Sequence, residues 1–230
     1  MHRIMLLNPK GGCGKTTIAT SLASYYAATG LCTALVDYDS QGSSTRWLNV
    51  RPAELGSIHG VAAYRNAPGV TRTWQMRLPG DVQRVVVDTA AGLSPTQVPE
   101  MAQRADIIVV PVLPSRIDMD AAVDFLVVLE RSPAVREGGR RVAVVANRLR
   151  GNKRLARELK SFLAAQPFPF IASLRDSSNY ERAAELGVGI HDLDSVRSHT
   201  DRDQWRPLLA WLESGRIGTA TGSGAQVSAS

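Results

Sequence analysis

The chain has 230 residues and a net charge of +6, with 44% hydrophobic and 21% charged residues, a composition typical of a soluble globular protein with a substantial core. Its two cysteines, Cys13 and Cys32, exclude a disulfide framework and a CxxC metal site. No apolar run approaches the roughly 20 residues of a membrane-spanning helix, and the N-terminus lacks the pattern of a signal segment. We therefore expect a reducing, cytoplasmic setting.

Short apolar runs alternate with helical patterns along the chain. The runs are continuous rather than alternating, as expected for strands buried on both faces of a sheet. Glycine and proline mark helix ends, as at Gly30 and Pro95, the latter after the candidate cap Ser94. The pattern predicts strands at Ile4–Asn8, Thr33–Asp37, Arg84–Asp88, Ile107–Val112, Val142–Ala146 and Phe168–Ala172, and helices at Thr16–Thr29, Pro95–Ala105, Asp120–Arg131, Lys153–Ala165 and Asn179–Leu186.

This alternation of strands and helices predicts a single α/β domain with a mostly parallel, twisted sheet flanked by helices on both faces. The segment 46–79 has the least regular pattern, and no element is predicted there. Residues 214–230 are small and polar, without core-forming side chains. We expect the domain to span residues 1–213 and the remainder to be a disordered tail.

The stretch NPKGGCGKTT, residues 8–17, stands between the first strand and the first helix, which is the context of a P-loop. Its glycines let backbone N–H groups turn towards phosphate oxygens, next to the positive end of the helix. Lys15 would add a charge at the β- and γ-phosphates, and the Thr16 hydroxyl would bind Mg²⁺. The predicted nucleotide-binding positions are Gly11, Gly12, Cys13, Gly14, Lys15, Thr16 and Thr17, with no chemistry assigned to the Cys13 thiol.

Two other predicted strands end in acids. VVVD ends at Asp88, and VDYD carries Asp37 and Asp39. An aspartate beside a phosphate loop holds Mg²⁺ through its water shell, and a carboxylate near the γ-phosphate could orient the attacking water. One aspartate at a strand end is more often a turn cap. Two acid-tipped strands beside a P-loop instead favour a site for Mg²⁺ and a nucleoside triphosphate.

The positive charge is concentrated in residues 140–160, which contain eight Lys or Arg residues and one acid, a net charge of +7. The rest of the chain therefore has a net charge of −1. A local patch favours a polyanionic partner, although a solvated helix face is the alternative. The candidate DNA-binding residues are Arg148, Arg150, Lys153, Arg154, Arg157 and Lys160, with Arg175 and Arg182 as additional candidates.

Five stretches together resemble the ParA/MinD family of deviant-Walker ATPases, and most closely its small partition proteins without an N-terminal helix-turn-helix domain. The stretches are KGGCGKTT, VDYDSQGSSTRWL, VVVDTAAG, IIVVPVLPSRIDMDA and VANR, and the resemblance extends to about Leu212. It implies an answer to a question that the P-loop itself leaves open, namely why a second lysine, Lys10, stands at the mouth of the loop. Lys10 matches the signature lysine that reaches across a dimer to the partner's ATP.

Further site roles follow from the same resemblance. Asp39 matches the acid that the family needs for hydrolysis, and Asp37 is expected near Mg²⁺. Asn147 matches the family's adenine-recognising asparagine. The segment Pro111–Asp118, with Pro114, resembles one that lies near the nucleotide and the dimer interface.

The function implied by the resemblance is a cycle. ATP builds a homodimer, the dimer binds double-stranded DNA without sequence preference, and an adaptor protein stimulates hydrolysis. Such a protein is nucleoid-associated and positions a plasmid, a chromosome or a protein organelle.

Three related functions lack sequence support. The tail offers no amphipathic basic helix for a membrane switch, the chain has no paired cysteines for an iron–sulfur scaffold, and NRLR does not match the base reader of a GTPase. A binding module with inactive catalysis is opposed by the intact Lys10, Lys15, Asp39 and Asp88. An ATP-dependent metabolic ligase of the same superfamily remains the alternative.

Overall fold

The computed structural model describes residues 1–65, 71, 76–151 and 153–214, except for the side chains of Lys153 and Ser195. Within these residues seven strands form one sheet in which every neighbouring pair is parallel. The strands are β1 (His2–Leu6), β2 (Thr33–Asp37), β3 (Ile58–Ala62), β4 (Arg84–Asp88), β5 (Ile107–Val112), β6 (Arg141–Leu149) and β7 (Phe170–Arg175). Their order is β3-β2-β4-β1-β5-β6-β7, so β1 lies at the centre of the sheet.

Helices connect β1 to β2, β2 to β3, β4 to β5, β5 to β6 and β6 to β7, as parallel pairing requires. The described helices are α1 (Lys15–Ala28), α2 (Ser43–Asn49), α3 (Gln97–Gln103), α4 (Arg116–Arg131), α5 (Pro133–Arg136), α6 (Lys153–Ala164), α7 (Ser178–Glu185) and α8 (Ser195–Glu213). None of them is long and apolar enough to cross a membrane.

The sheet has a hydrophobic core on each face, which confirms the predicted fold class. One core contains residues of α3, α4, α5 and α6 together with one face of the strands. The other contains residues of α1, α2 and α8, including the fully buried Trp205, against the opposite face. Because both faces are covered, the strands read as continuous apolar runs in the sequence.

Several predicted boundaries were wrong. Strand β6 continues past Ala146 to Leu149, so Arg148 lies within a strand rather than in a loop. Helix α3 begins at Gln97 instead of Pro95, and the side chain of its N-cap residue Thr96 accepts no capping hydrogen bond from the described backbone. Strand β7 ends at Arg175, three residues beyond the predicted end, and its pairing with β6 includes register shifts.

Four of the described elements were absent from the prediction: β3, α2, α8 and the one-turn helix α5. β3 and most of α2 lie in the segment that seemed irregular, since β3 is an edge strand that contains His59 and Gly60 and is only partly buried. α8 was missed because its first half, SVRSHTDRDQ, is mostly polar and Pro207 lies inside the helix. The predicted disordered tail falls almost entirely outside the described residues.

A buried ion pair joins α1 to the loops that follow α2 and α7. Arg51 Nη1 lies 3.4 Å from Asp192 Oδ2, and the two side chains are 4% and 5% exposed. The same carboxylate accepts a hydrogen bond from the backbone N–H of Gly189 at 2.8 Å and contacts Ser24 Oγ. Asp192 therefore neutralises a guanidinium group that has little access to water.

We expect Asp192→Ala to lower the free energy of unfolding by about 3–5 kcal/mol, because it leaves the charge of Arg51 buried without its partner. Urea denaturation measures the change. Asp203→Ala is the control, since that carboxylate pairs with exposed partners and its loss should cost about 1 kcal/mol or less. Equal losses in the two variants would contradict the importance of the buried pair.

Candidate nucleotide-binding site

The chain leaves β1 at Leu6 and turns through residues 7–14 before α1 begins at Lys15. Gly12 and Gly14 have φ values of 73° and 92°, a left-handed conformation that glycine adopts without strain. A Cβ atom at Gly14 would lie 2.2 Å from Asn147 Nδ2. Gly14 is therefore required both for the turn and for the close approach of β6 to the loop.

Lys15 lies at the base of this turn and is 7% exposed. Its ammonium group donates hydrogen bonds to the carbonyl oxygens of Asn8 and Lys10, each at 2.9 Å. The loop thus folds around a buried positive charge. The neighbouring Cys13 is buried as well, and this burial raises the pKa of its thiol, while Lys15 acts in the opposite direction.

A cavity of about 380 Å³ opens over the loop. One wall is the loop and the first turn of α1, including the predicted positions Gly11, Gly12, Cys13, Gly14, Lys15, Thr16 and Thr17. The opposite wall comes from the carboxyl ends of β6 and β7 and from α7. Asp39 also lines this cavity, whereas Lys10, Pro114, Asp37 and Asp88 do not.

Asp88 is the last residue of β4 and is fully buried. Neither of its carboxylate oxygens has a hydrogen-bond partner in the described part of the chain. Desolvation raises the pKa of Asp88 to about 7, against the weaker lowering influence of the Thr16 hydroxyl. The negative charge of Asp37 raises this pKa further. Burial without hydrogen bonds from the described residues therefore favours a bound proton or a bound cation at Asp88.

Asp37 and Asp39 differ in their surroundings. Asp37 is buried, and it accepts hydrogen bonds from the backbone N–H of Asp39 at 3.0 Å and from the backbone and hydroxyl of Thr45 at 2.9 and 2.8 Å. Asp39 is half-buried, and its Oδ1 accepts the N–H of Gln41 at 2.9 Å. Asp37 thus holds the turn that presents Asp39 to the cavity.

The residues present fit a magnesium ion. No group of three or more His, Cys, Asp and Glu side chains in the described ranges is arranged to hold a metal. Mg²⁺ in nucleotide sites needs only one or two carboxylates, since waters and substrate phosphates complete its shell. The unpartnered carboxylate of Asp88 and the nearby Thr16 hydroxyl would hold the ion, which would supply charge neutralisation for the phosphates.

Asn147 connects the end of β6 to the loop. Its Nδ2 donates to the carbonyl oxygen of Cys13 at 2.8 Å, and its Oδ1 accepts no hydrogen bond from the described residues. The following Arg148 has a positive φ of 53° and lines the cavity. This backbone turn directs Arg148 towards Asp176, whose Oδ1 lies 3.4 Å from its Nε.

The basic patch is partly neutralised by its neighbours. Arg148 and Arg150 share Asp176, and the hydrogen bond from Arg150 lowers the pKa of that carboxyl. Arg154 pairs with Glu158 at 2.8 Å. Arg157 and Lys160 are exposed on α6, where Lys153 is the first residue and its side chain lies outside the description. Arg175 pairs instead with the fully buried Asp201.

Sequence reasoning placed Asn147 at the nucleotide but missed the part of the opposite wall that β7 and α7 contribute. Arg175, Asp176, Ser177, Tyr180 and Glu181 contribute to it, at and after the end of β7. The polar run RDSSNY directly after an apolar strand was the available signal. The sequence alone did not link this run to the nucleotide site, because only the strand order of the sheet places β7 next to β6.

Comparisons with known proteins agree with this geometry. A family model described as the CobQ/CobB/MinD/ParA nucleotide binding domain matches residues 4–190. The maintenance of carboxysome distribution protein A of Halothiobacillus neapolitanus is 26% identical over 207 residues, which cover 90% of this chain and 94% of that protein. These matches confirm the resemblance inferred from the five sequence stretches.

Solved structures share the fold at low sequence identity. Apo McdA of Cyanothece has a TM-score of 0.69 at 14% identity, covering 91% of this chain and 99% of that one. The septum site-determining protein MinD of Pyrococcus horikoshii, complexed with Mg-ADP, has a TM-score of 0.65 at 14% identity, covering 93% and 96% of the two chains. The fold of the P-loop NTPases predicted from the sequence is thereby confirmed.

The buried carboxyl of Asp88 gives a prediction about pH. An aspartate in an unfolded chain has a pKa of about 3.9, whereas the pKa of Asp88 is raised to about 7. The folded chain therefore holds the proton more tightly, so the contribution of Asp88 to stability is present at low pH and is lost as the pH rises through about 7.

We expect Asp88→Asn, without nucleotide or Mg²⁺, to leave the free energy of unfolding almost unchanged at about pH 4, and to raise it by roughly 2–4 kcal/mol at about pH 8. Urea denaturation at the two pH values measures this. The exposed Asp124→Asn is the matched control, with changes of about 0.5 kcal/mol or less. The same effect of Asp88→Asn at both pH values would contradict the raised pKa.

Proposed function

Since the chain belongs to the CobQ/CobB/MinD/ParA nucleotide-binding domain family, we propose that it is an ATPase that dimerises with ATP and positions an intracellular cargo on DNA. The observation that carries the proposal is the placement of the two lysines of the loop. Lys15 is buried beneath the cavity of its own chain, whereas Lys10 does not line that cavity.

Lys10 has the surroundings of a group that acts on another molecule. It is half-buried at the loop mouth, and within the described residues no carboxylate lies within 4.0 Å of its ammonium group. A cation supplied by a second protomer would neutralise phosphate charge, as an arginine finger does. Because the contact requires the γ-phosphate, ATP and not ADP would build the dimer.

The remaining catalytic roles follow from the positions of the acids. Lys15 and the loop N–H groups would bind the phosphates, while Thr16 and Asp88 would hold Mg²⁺. Asp39, half-buried at the cavity, would orient or activate the attacking water. Asp37 would act indirectly, because its carboxylate holds the turn that carries Asp39.

The adenine base of ATP would bind beside Asn147. One N–H of its Nδ2 donates to the loop carbonyl of Cys13, and its Oδ1 can accept a hydrogen bond from the base. An acceptor at this point favours the exocyclic amino group of adenine over the carbonyl oxygen that guanine carries there. Pro114, in the turn before α4, does not line the cavity of its own chain and would belong to the dimer interface.

DNA would contact the outer face of α6. Arg157 and Lys160 are exposed there, and Arg154 adds a side chain that is 83% exposed although paired. Arg148 and Arg150 would contribute less, because both face Asp176. A dimer would present two such faces, so that binding to phosphates would depend on the nucleotide and weaken with salt.

The cargo and the adaptor follow from relatives rather than from a site. The Halothiobacillus relative is named for the distribution of carboxysomes, which supports a positioning role for a protein organelle or a plasmid. An adaptor protein would stimulate an otherwise slow hydrolysis. The protein would then be cytoplasmic and nucleoid-associated.

DNA binding with ATP, with ADP and without nucleotide, at about 50 and about 200 mM salt, tests this function. We expect binding only with ATP, on any sequence, and weaker at the higher salt concentration. Replacing Arg157 and Lys160 together with Glu should weaken binding at least about tenfold while ATP affinity is kept.

The control variant, Arg77→Glu with Arg131→Glu, has the same change in net charge as the test variant. Both residues are exposed and lie outside the basic residues 140–160. It should bind DNA like the wild type. If DNA is bound in no nucleotide state, the positioning function is contradicted and the metabolic ligase is favoured. If the control weakens binding as much as the test variant, α6 is the wrong surface.

A further inference from the structure

Pro9 interrupts the pairing of β1 with β5. The backbone N–H of Leu7 donates to the carbonyl of Val109 at 3.1 Å. In a regular parallel ladder the next donor towards β5 would be the N–H of residue 9. Proline has no N–H, so the carbonyl of Pro111 loses its expected backbone partner.

The side chain of Asn8 replaces the missing donor. Its Nδ2 donates to the carbonyl oxygen of Pro111 at 2.7 Å. Asn8 is 4% exposed, so water cannot satisfy this carbonyl if the amide moves away. The sequence Asn-Pro therefore ends the ladder and at the same time fixes the orientation of the asparagine amide.

The same amide holds the backbone of Lys10. Asn8 Oδ1 accepts the N–H of Lys10 at 2.9 Å, in a local turn of the kind that asparagine favours. The carbonyl of Lys10 accepts a hydrogen bond from Lys15 Nζ at 2.9 Å. The carbonyl of the preceding residue, Pro9, accepts the N–H of Gly92 at 2.7 Å. The Lys10 backbone is thus anchored on both sides.

We propose that Asn8 is a positioning residue for Lys10: its buried amide connects the carbonyl of Pro111 to the backbone of Lys10 and sets the direction in which the lysine leaves the loop. The inference rests on the proposed function, in which Lys10 acts on the nucleotide of a second protomer. Because one amide contacts both residues, a shift of the segment that follows Pro111 would also move the backbone of Lys10.

Asparagine suits this position because it carries a donor and an acceptor on one short, planar group. Aspartate has the same shape and keeps the acceptor for Lys10, but it places a carboxylate oxygen against the carbonyl of Pro111. Alanine removes both bonds. The isosteric Asn8→Asp is therefore the sharper probe, since it changes the link to Pro111 without creating a cavity.

We expect Asn8→Asp to keep the affinity of the monomer for ADP within about threefold, because Lys15 and the glycine N–H groups are unchanged. Dimerisation with Mg²⁺ and a non-hydrolysable ATP analogue should weaken about tenfold or more, as expected for a buried carbonyl left without its donor. Sedimentation measures the dimer, and titration with a fluorescent ADP measures the monomer. A merely destabilised protein would lose both affinities together.

Two comparisons isolate the role of Asn8. The core variant Val142→Ala lowers stability away from the site and should dimerise normally. In the background of Lys10→Ala, Asn8→Asp should cause no further loss of dimerisation, since it acts through that lysine.

The outcomes separate this inference from the function on which it rests. A wild-type chain that stays monomeric with the ATP analogue contradicts the proposed function, and the inference falls with it. A dimerising wild type with an indifferent Asn8→Asp variant overturns the inference alone. Additive losses from Lys10→Ala and Asn8→Asp also overturn it, because Asn8 would then act independently of Lys10.

Discussion

The ammonium group of Lys15 is the contact on which the geometry of the site depends. It is buried beneath the turn, and its hydrogen bonds to the carbonyls of Asn8 and Lys10 close the loop around a positive charge. The glycines can then direct N–H groups outwards without side-chain clashes. Because the same bond anchors Lys10, the lysine that serves its own chain also fixes the base of the lysine proposed to serve another.

Opposite this cation stands an acid in an equally unfavourable environment. Parallel pairing aligns Leu6, Asp37 and Asp88 in one register, so the carboxyl ends of the three strands meet beside the loop. Asp37 accepts three hydrogen bonds from its neighbours, whereas the carboxylate of Asp88 has no hydrogen-bond partner among the described residues. The site thus combines a satisfied carboxylate that organises the backbone with an unsatisfied one that favours a cation. That difference separates two aspartates that look equivalent in the sequence.

The sequence predicted the central part of the fold well, because strands buried on both faces have continuous apolar patterns that need no tertiary context. The sequence did not predict the edge strand β3 or α8. Each has few apolar side chains, and only the tertiary structure shows which neighbours these side chains pack against. The P-loop was readable since its glycines and Lys15 are contiguous. The far wall of the cavity and the bridge from Asn8 to Pro111, 103 residues apart, depend on strand order, which local pattern does not specify.

The proposed cycle depends on Lys10 acting across a dimer that ATP builds. Sedimentation of the wild type and of Lys10→Ala, with Mg²⁺ and either a non-hydrolysable ATP analogue or ADP, tests this most directly. We expect a dimer for the wild type with the ATP analogue only, and for Lys10→Ala a dimer that is weaker by a factor of about 100 or more although nucleotide binding is kept. A Lys10→Ala variant that dimerises as readily as the wild type, or a wild type that is monomeric with both nucleotides, would contradict it.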